Sequence, residues 1–491
     1  MNAARAALRA RSADGTLTRR DRLVILATCC LSLFIVGLDV SAVNVALPSI
    51  SSDLGATPAQ LQWVLDAYAL VIASLLIFGG SLGDRLGRKR IFQVGLVTFG
   101  VASVLCSLAP TPEVLIGARM LQAVGGAMLN PVALSIVTNV FVDPRERAQA
   151  IGLWGTAFGM SLAFGPVVGG ALVSGIGWEA IFWLNVPVCL LALGLTMRFV
   201  PESRAEHARR ADPVGQVLIL TLLATLTFAI IEGRPQGWTS PGVLTCFAVS
   251  AGAFVAMIAY ESRREEPLLD PRFFRSAPFS SSVACAVIAF AATGGFLFLN
   301  TLYLQEVREM SPLHAGLMTL PMAAASVVCA PIAGRLVGDR GARTPMVIGG
   351  VGMVAGALML TGLGNDTSLV YVGAAYLVFG LGFGFLNAPI TNGAVSGMPR
   401  TQAGLASAMA STGRQVGTAL GVAVFGAVAF AGIEGSVADG LAAAARPVWL
   451  IMALCGAAVL VLAFVSTGAW ARGTAARTRE RIESTSGTWV P

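Results

Sequence analysis

The chain has 491 residues, of which 55% are hydrophobic and only 12% charged, with a mean hydropathy of +0.76. That apolar excess rules out a disordered chain, a secreted disulfide scaffold and a soluble enzyme, because a water-soluble domain of this size has too little interior to hide it. The net charge of +7 rests on 32 arginines and a single lysine, Lys89, which suits loops facing anionic lipid and does not call for nucleic acid.

Apolar runs long enough to cross a hydrocarbon core of roughly 30 Å fall at 24–48, 60–80, 91–110, 113–138, 148–173, 179–198 and 213–231. They continue at 241–260, 277–303, 314–335, 344–363, 368–391, 404–430 and 447–470. Fourteen spans put both termini on one side. With the N-terminus cytoplasmic, 28 of the 33 basic residues lie inside, three (Arg234, Arg308 and Arg446) lie outside, and Arg119 and Arg414 fall within spans. That asymmetry fixes the orientation. It places a multi-pass protein in the cell inner (plasma) membrane with both termini cytoplasmic. The first run is too long for a cleaved signal peptide and reads as a retained helix behind a polar, Arg-rich tail.

Cys29, Cys30, Cys106, Cys189, Cys246, Cys285, Cys329 and Cys455 all sit in apolar runs and read as small hydrophobic packers. His207 and His314 are the only histidines. A His-based metal centre or catalytic triad is therefore not expected, and the sequence Gly-x-x-x-x-Gly-Lys-Ser/Thr of ATP-driven pumps does not occur. The expectation is a protein that is not an enzyme, with no catalytic residues, metal or cofactor.

Two loops resemble each other. Gly80-Ser81-Leu82-Gly83-Asp84-Arg85-Leu86-Gly87-Arg88-Lys89 follows span 2, and Gly334-Arg335-Leu336-Val337-Gly338-Asp339-Arg340-Gly341-Ala342-Arg343 follows span 10. The two aspartates are 255 residues apart. Eight spans separate the loops, so a two-helix insert divides two six-helix halves. The expected organisation is a cytoplasmic tail at 1–22, a six-helix bundle at 23–200, an insert at 201–276, a second six-helix bundle at 277–470 and a cytoplasmic tail at 471–491. Parallel six-helix repeats are a transporter arrangement, with the substrate site between the halves.

Charges inside spans are expensive and mark function. Asp39 lies in span 1, Asp66 in span 2 and Arg119 in span 4, all in the outer half of the first bundle. Two acids and one base at matched depth form a candidate proton-coupling cluster, although a static ion pair between spans 1 and 4 is the plainer reading. Arg414 lies near the midplane of span 13, beside Gln415, with no acid at that depth in spans 9–14. A carbonyl-lined or water-filled cavity, an anionic substrate group, or hydrogen bonds to helix ends or Asn387 would each account for it. Candidate cavity liners are Asn44, Trp63, Tyr68, Asn300, Asn387, Arg414 and Gln415, polar or aromatic groups on otherwise apolar helices.

These residues resemble the major facilitator superfamily, and in particular its fourteen-helix drug:proton antiporters. Gly80–Arg90 is similar to that superfamily's Gly-x-Leu-x-Asp-Arg-x-Gly-Arg-Lys loop. Leu38–Pro48 is similar to the first-helix motif of the fourteen-helix branch. Leu115–Gly126 is similar to the Arg-x-x-Gln-Gly motif, with Ala123 where Gly is common. Gly165-Pro166-Val167-Val168-Gly169-Gly170, with Gly152 upstream and Ser161 at a usual Gly position, is similar to the antiporter motif of helix 5. The resemblance implies a major facilitator fold: an all-α membrane protein of two six-helix bundles and a two-helix insert. It implies that Asp39 and Arg119 carry the proton step. It also implies that Gly80, Asp84, Arg85, Gly87 and Arg88 form a cytoplasmic latch meeting the second half near helix 13. The expected function is proton-coupled export of drugs or antibiotics by alternating access. The alternatives are proton-coupled transport of a metabolite, such as a lipid, peptide or amino acid, or a non-transporting membrane sensor. Expected partners are a small amphipathic substrate, protons and membrane lipids, with no nucleic acid, and the chain is expected to act as a monomer.

Overall fold

The computed structural model describes residues 17–204, 212–264, 267, 270–396, 398, 403–433 and 436–485; His207, Arg209 and Arg210 lie outside them. Helices α1 (Arg19–Leu54), α2 (Pro58–Leu86), α3 (Arg88–Ser107), α4 (Pro112–Val140), α5 (Pro144–Gly175) and α6 (Glu179–Phe199) come first. Then follow α7 (Pro213–Gln236), α8 (Pro241–Glu261), α9 (Ala277–Leu302), α10 (Pro312–Arg340) and α11 (Arg343–Leu360). The last are α12 (Leu369–Val395), α13 (Ala403–Ala431), α14 (Val437–Val465) and α15 (Ala469–Thr485). A 3₁₀ turn, Pro271–Arg275, precedes α9, and a π turn, Tyr303–Val307, extends it. No strand occurs among the described residues.

Thirteen of the helices are long and apolar enough to cross a membrane among the described residues, and α5, 32 residues long, carries a further apolar stretch at Phe164–Gly175. On α3, Val94, Val97, Val101 and Leu105 are all exposed. They make an apolar stripe at helical spacing that faces outward, as a hydrocarbon environment demands and water forbids.

Local chemistry sets the helix ends. Thr18 and Asp21 form a reciprocal capping box, which starts α1 at Arg19, five residues before the apolar run begins. Thr57 and Gln60 do the same for α2, which has Pro58 in its first turn. Gly55 closes α1 at φ +64°, a left-handed conformation that glycine adopts without a Cβ penalty. The tail beyond span 14 is helical as α15, with Ala471, Ala475, Thr478 and Ile482 buried on one face. The sequence reading assigned it no structure because its polar, Arg-rich composition masks that three-to-four-residue spacing.

The chain divides into two compact units, Met1–Pro213 and Val214–Pro491. Within the first, α1 packs on α5 and α6, α2 on α4, and α3 on α4 and α6. Within the second, α9 packs on α13 and α14, α10 on α12, and α11 on α12 and α14. Each of these pairings of the first unit recurs in the second with each helix number raised by eight. Helices α7 and α8 fall on the second unit's side of the division, and Ser250 Oγ of α8 donates to the Leu222 carbonyl of α7 at 3.2 Å.

Glycine makes the tightest pairs possible. A Cβ placed on Gly421 of α13 would collide with the Ala291 carbonyl of α9, and one on Gly169 of α5 would collide with Ala42 of α1. These are the same seam in the two units, since α1–α5 corresponds to α9–α13. Backbones approach this closely only where side chains are absent. We predict that Gly421→Ala lowers the unfolding free energy by about 1–3 kcal/mol, the usual cost of forcing a methyl into a packed seam. Gly334→Ala, where nothing lies within 4 Å, should leave stability unchanged or raise it. Thermal unfolding in one detergent, with both variants side by side, checks the pair.

Candidate functional site

The densest buried polar cluster belongs to the first unit. Asp39 of α1 and Arg119 of α4 are fully buried and form an ion pair through Arg119 Nη1 and Asp39 Oδ2. The other carboxylate oxygen, Oδ1, accepts from Gln122 Nε2 at 2.9 Å and from Asn185 Nδ2 at 2.8 Å. Both amides also donate to Ser103 Oγ, at 2.9 and 3.1 Å. Ser103 Oγ in turn donates to the Phe99 carbonyl at 2.7 Å. Arg119 Nη1 also donates to Gln122 Oε1 at 2.6 Å, and Nε donates to the Val64 carbonyl of α2 at 3.3 Å. The guanidinium lies over the Tyr68 ring, 4.0 Å from its centroid, with Phe182 at 5.8 Å on α6.

Helix geometry explains the assembly. Arg119 and Gln122 are three residues apart on α4 and share a face. Val64 and Tyr68 are four apart on α2 and present a carbonyl and a ring to that same guanidinium. A single buried charge leaves donors and a counter-charge to be found in a medium of low dielectric. Five helices (α1, α2, α3, α4 and α6) converge to supply them. The sequence reading found Asp39 and Arg119 but assigned no role to Gln122, Ser103 or Asn185. An asparagine inside an otherwise apolar span was the available signal for Asn185.

Asp66 does not join this network. Two residues from both Val64 and Tyr68, it sits on the opposite face of α2, turned away from Arg119 by the helical periodicity. It is fully buried, and neither carboxylate oxygen has a hydrogen-bond partner among the described residues. Tyr68, expected in a substrate cavity, places its ring under the Arg119 guanidinium. Trp63 is half-buried. Asn44 is buried, with its amide donating to the Val40 carbonyl at 2.8 Å.

The cytoplasmic loop is built around Gly87, at φ +115°. Asp84 accepts from Arg88 Nε and Nη2 at 3.0 and 2.8 Å. Behind Gly87, Glu202 Oε1 accepts from the Lys89 backbone N–H at 3.1 Å, capping an α3 start that has no side-chain cap of its own. Lys89 Nζ donates to the Met197 carbonyl at 2.9 Å. The loop is thus tied to the end of α6, a partner absent from the sequence reading. Gly80 lies against Pro131 of α4, and Arg85 is exposed in the last turn of α2. In α5, Gly165 faces Ser41, whose hydroxyl lies 3.3 Å from the Ser161 carbonyl; Pro166 and Gly170 are buried. The surroundings of Gly152 lie outside the described residues.

In the second unit, Asn300 of α9 is buried; its Oδ1 accepts from Tyr376 of α12 at 2.6 Å and its Nδ2 donates to the Phe296 carbonyl at 2.9 Å. Its amide thus ties α9 to α12. Asn387 and Gln415 are half-buried. Arg414 Nη2 donates to Thr391 Oγ1, and Thr391 donates to the Asn387 carbonyl at 3.0 Å. The Arg414 guanidinium stands 5.8 Å from the Phe290 ring centroid. Insertion scales put an arginine at this depth at roughly 2.5–3.5 kcal/mol, and no carboxylate pairs with it among the described residues.

The sequence pattern of the Major Facilitator Superfamily matches residues 29–422. The chain is 37% identical over 410 residues to Multidrug resistance protein Stp of Mycobacterium tuberculosis, spanning 83% of this chain and 76% of that protein. It is 35% identical over 413 residues to Multidrug efflux pump LfrA of Mycolicibacterium smegmatis, spanning 84% of this chain and 82% of that one. It is 34% identical over 395 residues to the Methylenomycin A resistance protein of Streptomyces coelicolor, spanning 80% of this chain and 82% of that one. The match reaches from α1 into α13 and takes in the ion-pair network, the Asp84 loop and the glycine seam of α5: this multi-pass membrane chain belongs to the Major Facilitator Superfamily.

Proposed function

We propose that the protein is a secondary active exporter of small amphipathic molecules, drugs or antibiotics among them, that exchanges them for protons by alternating access. The similarity to proteins named multidrug efflux pumps and antibiotic resistance proteins supports export. The observation that carries proton coupling is the buried Asp39 carboxylate, held by Arg119, Gln122 and Asn185. It is a charge in the membrane whose neutralisation would rearrange five helices at once. In this cycle Asp39 takes the proton from outside, its hold on Arg119 loosens, and α1 and α4 shift against each other. Asp66 supplies a second carboxylate on the other face of α2. The Asp84 loop, anchored by Glu202, acts as the cytoplasmic latch. Segment 201–276 is an accessory insert, both termini are cytoplasmic, and the working unit is a monomer in the inner membrane.

One pH unit across the membrane supplies about 1.4 kcal/mol per proton, enough for a tenfold gradient of a neutral substrate at one-for-one exchange. In inverted vesicles carrying the protein, accumulation of dyes or antibiotics should follow the imposed pH gradient. Accumulation that tracks sodium or ATP, and ignores the gradient, would defeat the reading.

Two substitutions separate coupling from folding. Asp39→Asn should reduce gradient-driven transport at least tenfold while the protein still inserts; full transport at normal expression would remove Asp39 from the mechanism. Asn185→Leu takes one donor from the carboxylate and leaves the ion pair, so it should cost about 1–3 kcal/mol of stability and retain partial transport. Loss of transport as complete as that of Asp39→Asn would make Asn185 more than a supporting contact.

A further inference from the structure

Arg414 is the residue that the proton-coupling reading leaves unused. It sits in the second unit on α13, half-buried, where α12 and α9 meet it. Among the described residues its guanidinium donates to the side chain of Thr391, a neutral hydroxyl. Its Nε is buried and has no hydrogen-bond partner among the described residues. Among the described residues from α9 to α14 the acids lie elsewhere: Glu306 in the π turn, Glu309 beyond it, Asp339 at the end of α10, Asp366 in a loop and Asp439 at the start of α14. None is a counter-ion to Arg414.

Two further features surround the guanidinium. Helix α12 is interrupted at Phe385–Leu386, just ahead of Pro389, and Thr391 lies in the short segment that follows. Interrupted helices are where membrane transporters form substrate sites, because they free polar groups inside the bundle. On the other side Phe290 offers a ring face, itself held edge-on by Phe383 at 5.2 Å. The arrangement is a planar fork of donors with unused capacity next to an aromatic wall. Such a fork matches a planar oxyanion better than it matches any neutral group.

We propose that Arg414 receives the carboxylate of an amphipathic aromatic substrate, with the substrate's ring system against Phe290, so that the protein selects organic anions over permanent cations. This rests on the export reading and adds the charge of the cargo.

The experiment uses two dyes with one xanthene ring system, one bearing a free carboxylate and the other its methyl ester. Their binding to the purified full-length protein is measured by fluorescence polarisation with no proton gradient. Wild type should bind the carboxylate at least tenfold more tightly than the ester. Arg414→Gln should bring the ratio close to one with ester binding unchanged, and Arg414→Lys, which keeps the charge and loses the fork, should fall between. An equal ratio in wild type, a preference for the ester, or discrimination that survives in Arg414→Gln overturns the proposal. If Arg414→Gln does not fold, Arg414→Lys and the wild-type ratio decide it. Transport of the two dyes in vesicles is scored separately. Gradient-driven efflux without discrimination in binding leaves export standing and removes Arg414 from anion recognition. Discrimination without gradient-driven efflux does the reverse.

Discussion

Everything in the first unit is organised by one constraint: a carboxylate buried among apolar helices must be matched in charge and saturated in hydrogen bonds. Arg119 meets the first demand, and Gln122 and Asn185 meet the second, their amides held in turn by the Ser103 hydroxyl. Removing either charge strands the other, which is why buried pairs are costly to break even when they contribute little to stability as pairs. The network therefore holds the helices in one arrangement as long as the charges persist. The same property makes protonation an effective lever.

The second unit repeats the packing without the ion pair. Asn300 on α9 and Tyr376 on α12 occupy the helices that correspond to those of Asp39 and Arg119. Tyr376 stands seven residues into α12, as Arg119 stands seven residues into α4. The separations, 261 residues from Asp39 to Asn300 and 257 from Arg119 to Tyr376, lie close to the 255 between the two loop aspartates. One architecture thus carries an ionic pair in one copy and a neutral amide–phenol pair in the other. The neutral pair ties the same two helices while giving protons nothing to act on.

The membrane character, the spans and the eight-helix offset were legible because hydropathy and the arginine census register directly in composition. Asp39 and Arg119 were legible because a charge in a span stands out. What was hidden is what depends on helix rotation. Asp66 and Tyr68 are two residues apart in sequence and on opposite faces of α2, a separation that depth alone does not register. Asn185 meets Asp39 and Ser103 only after α3 and α6 fold back, and Glu202 reaches the Gly87 turn only through tertiary structure. Short-range spacing carries no record of such contacts.

The ion pair also sets an order of events during synthesis. Asp39 enters the membrane within α1, and its partner Arg119 lies 80 residues later in the chain. At about 5–20 residues per second, the carboxylate waits roughly 4–16 s for its counter-charge. Until Arg119 is made, the apolar length of α1 must offset the cost of its carboxylate; its best window has a mean hydropathy of 2.5, against 1.5 for α4. The helix that must insert first with an unpaired charge is the more apolar of the two. Arginine then arrives on the weaker helix, into a bundle where its partner is already waiting.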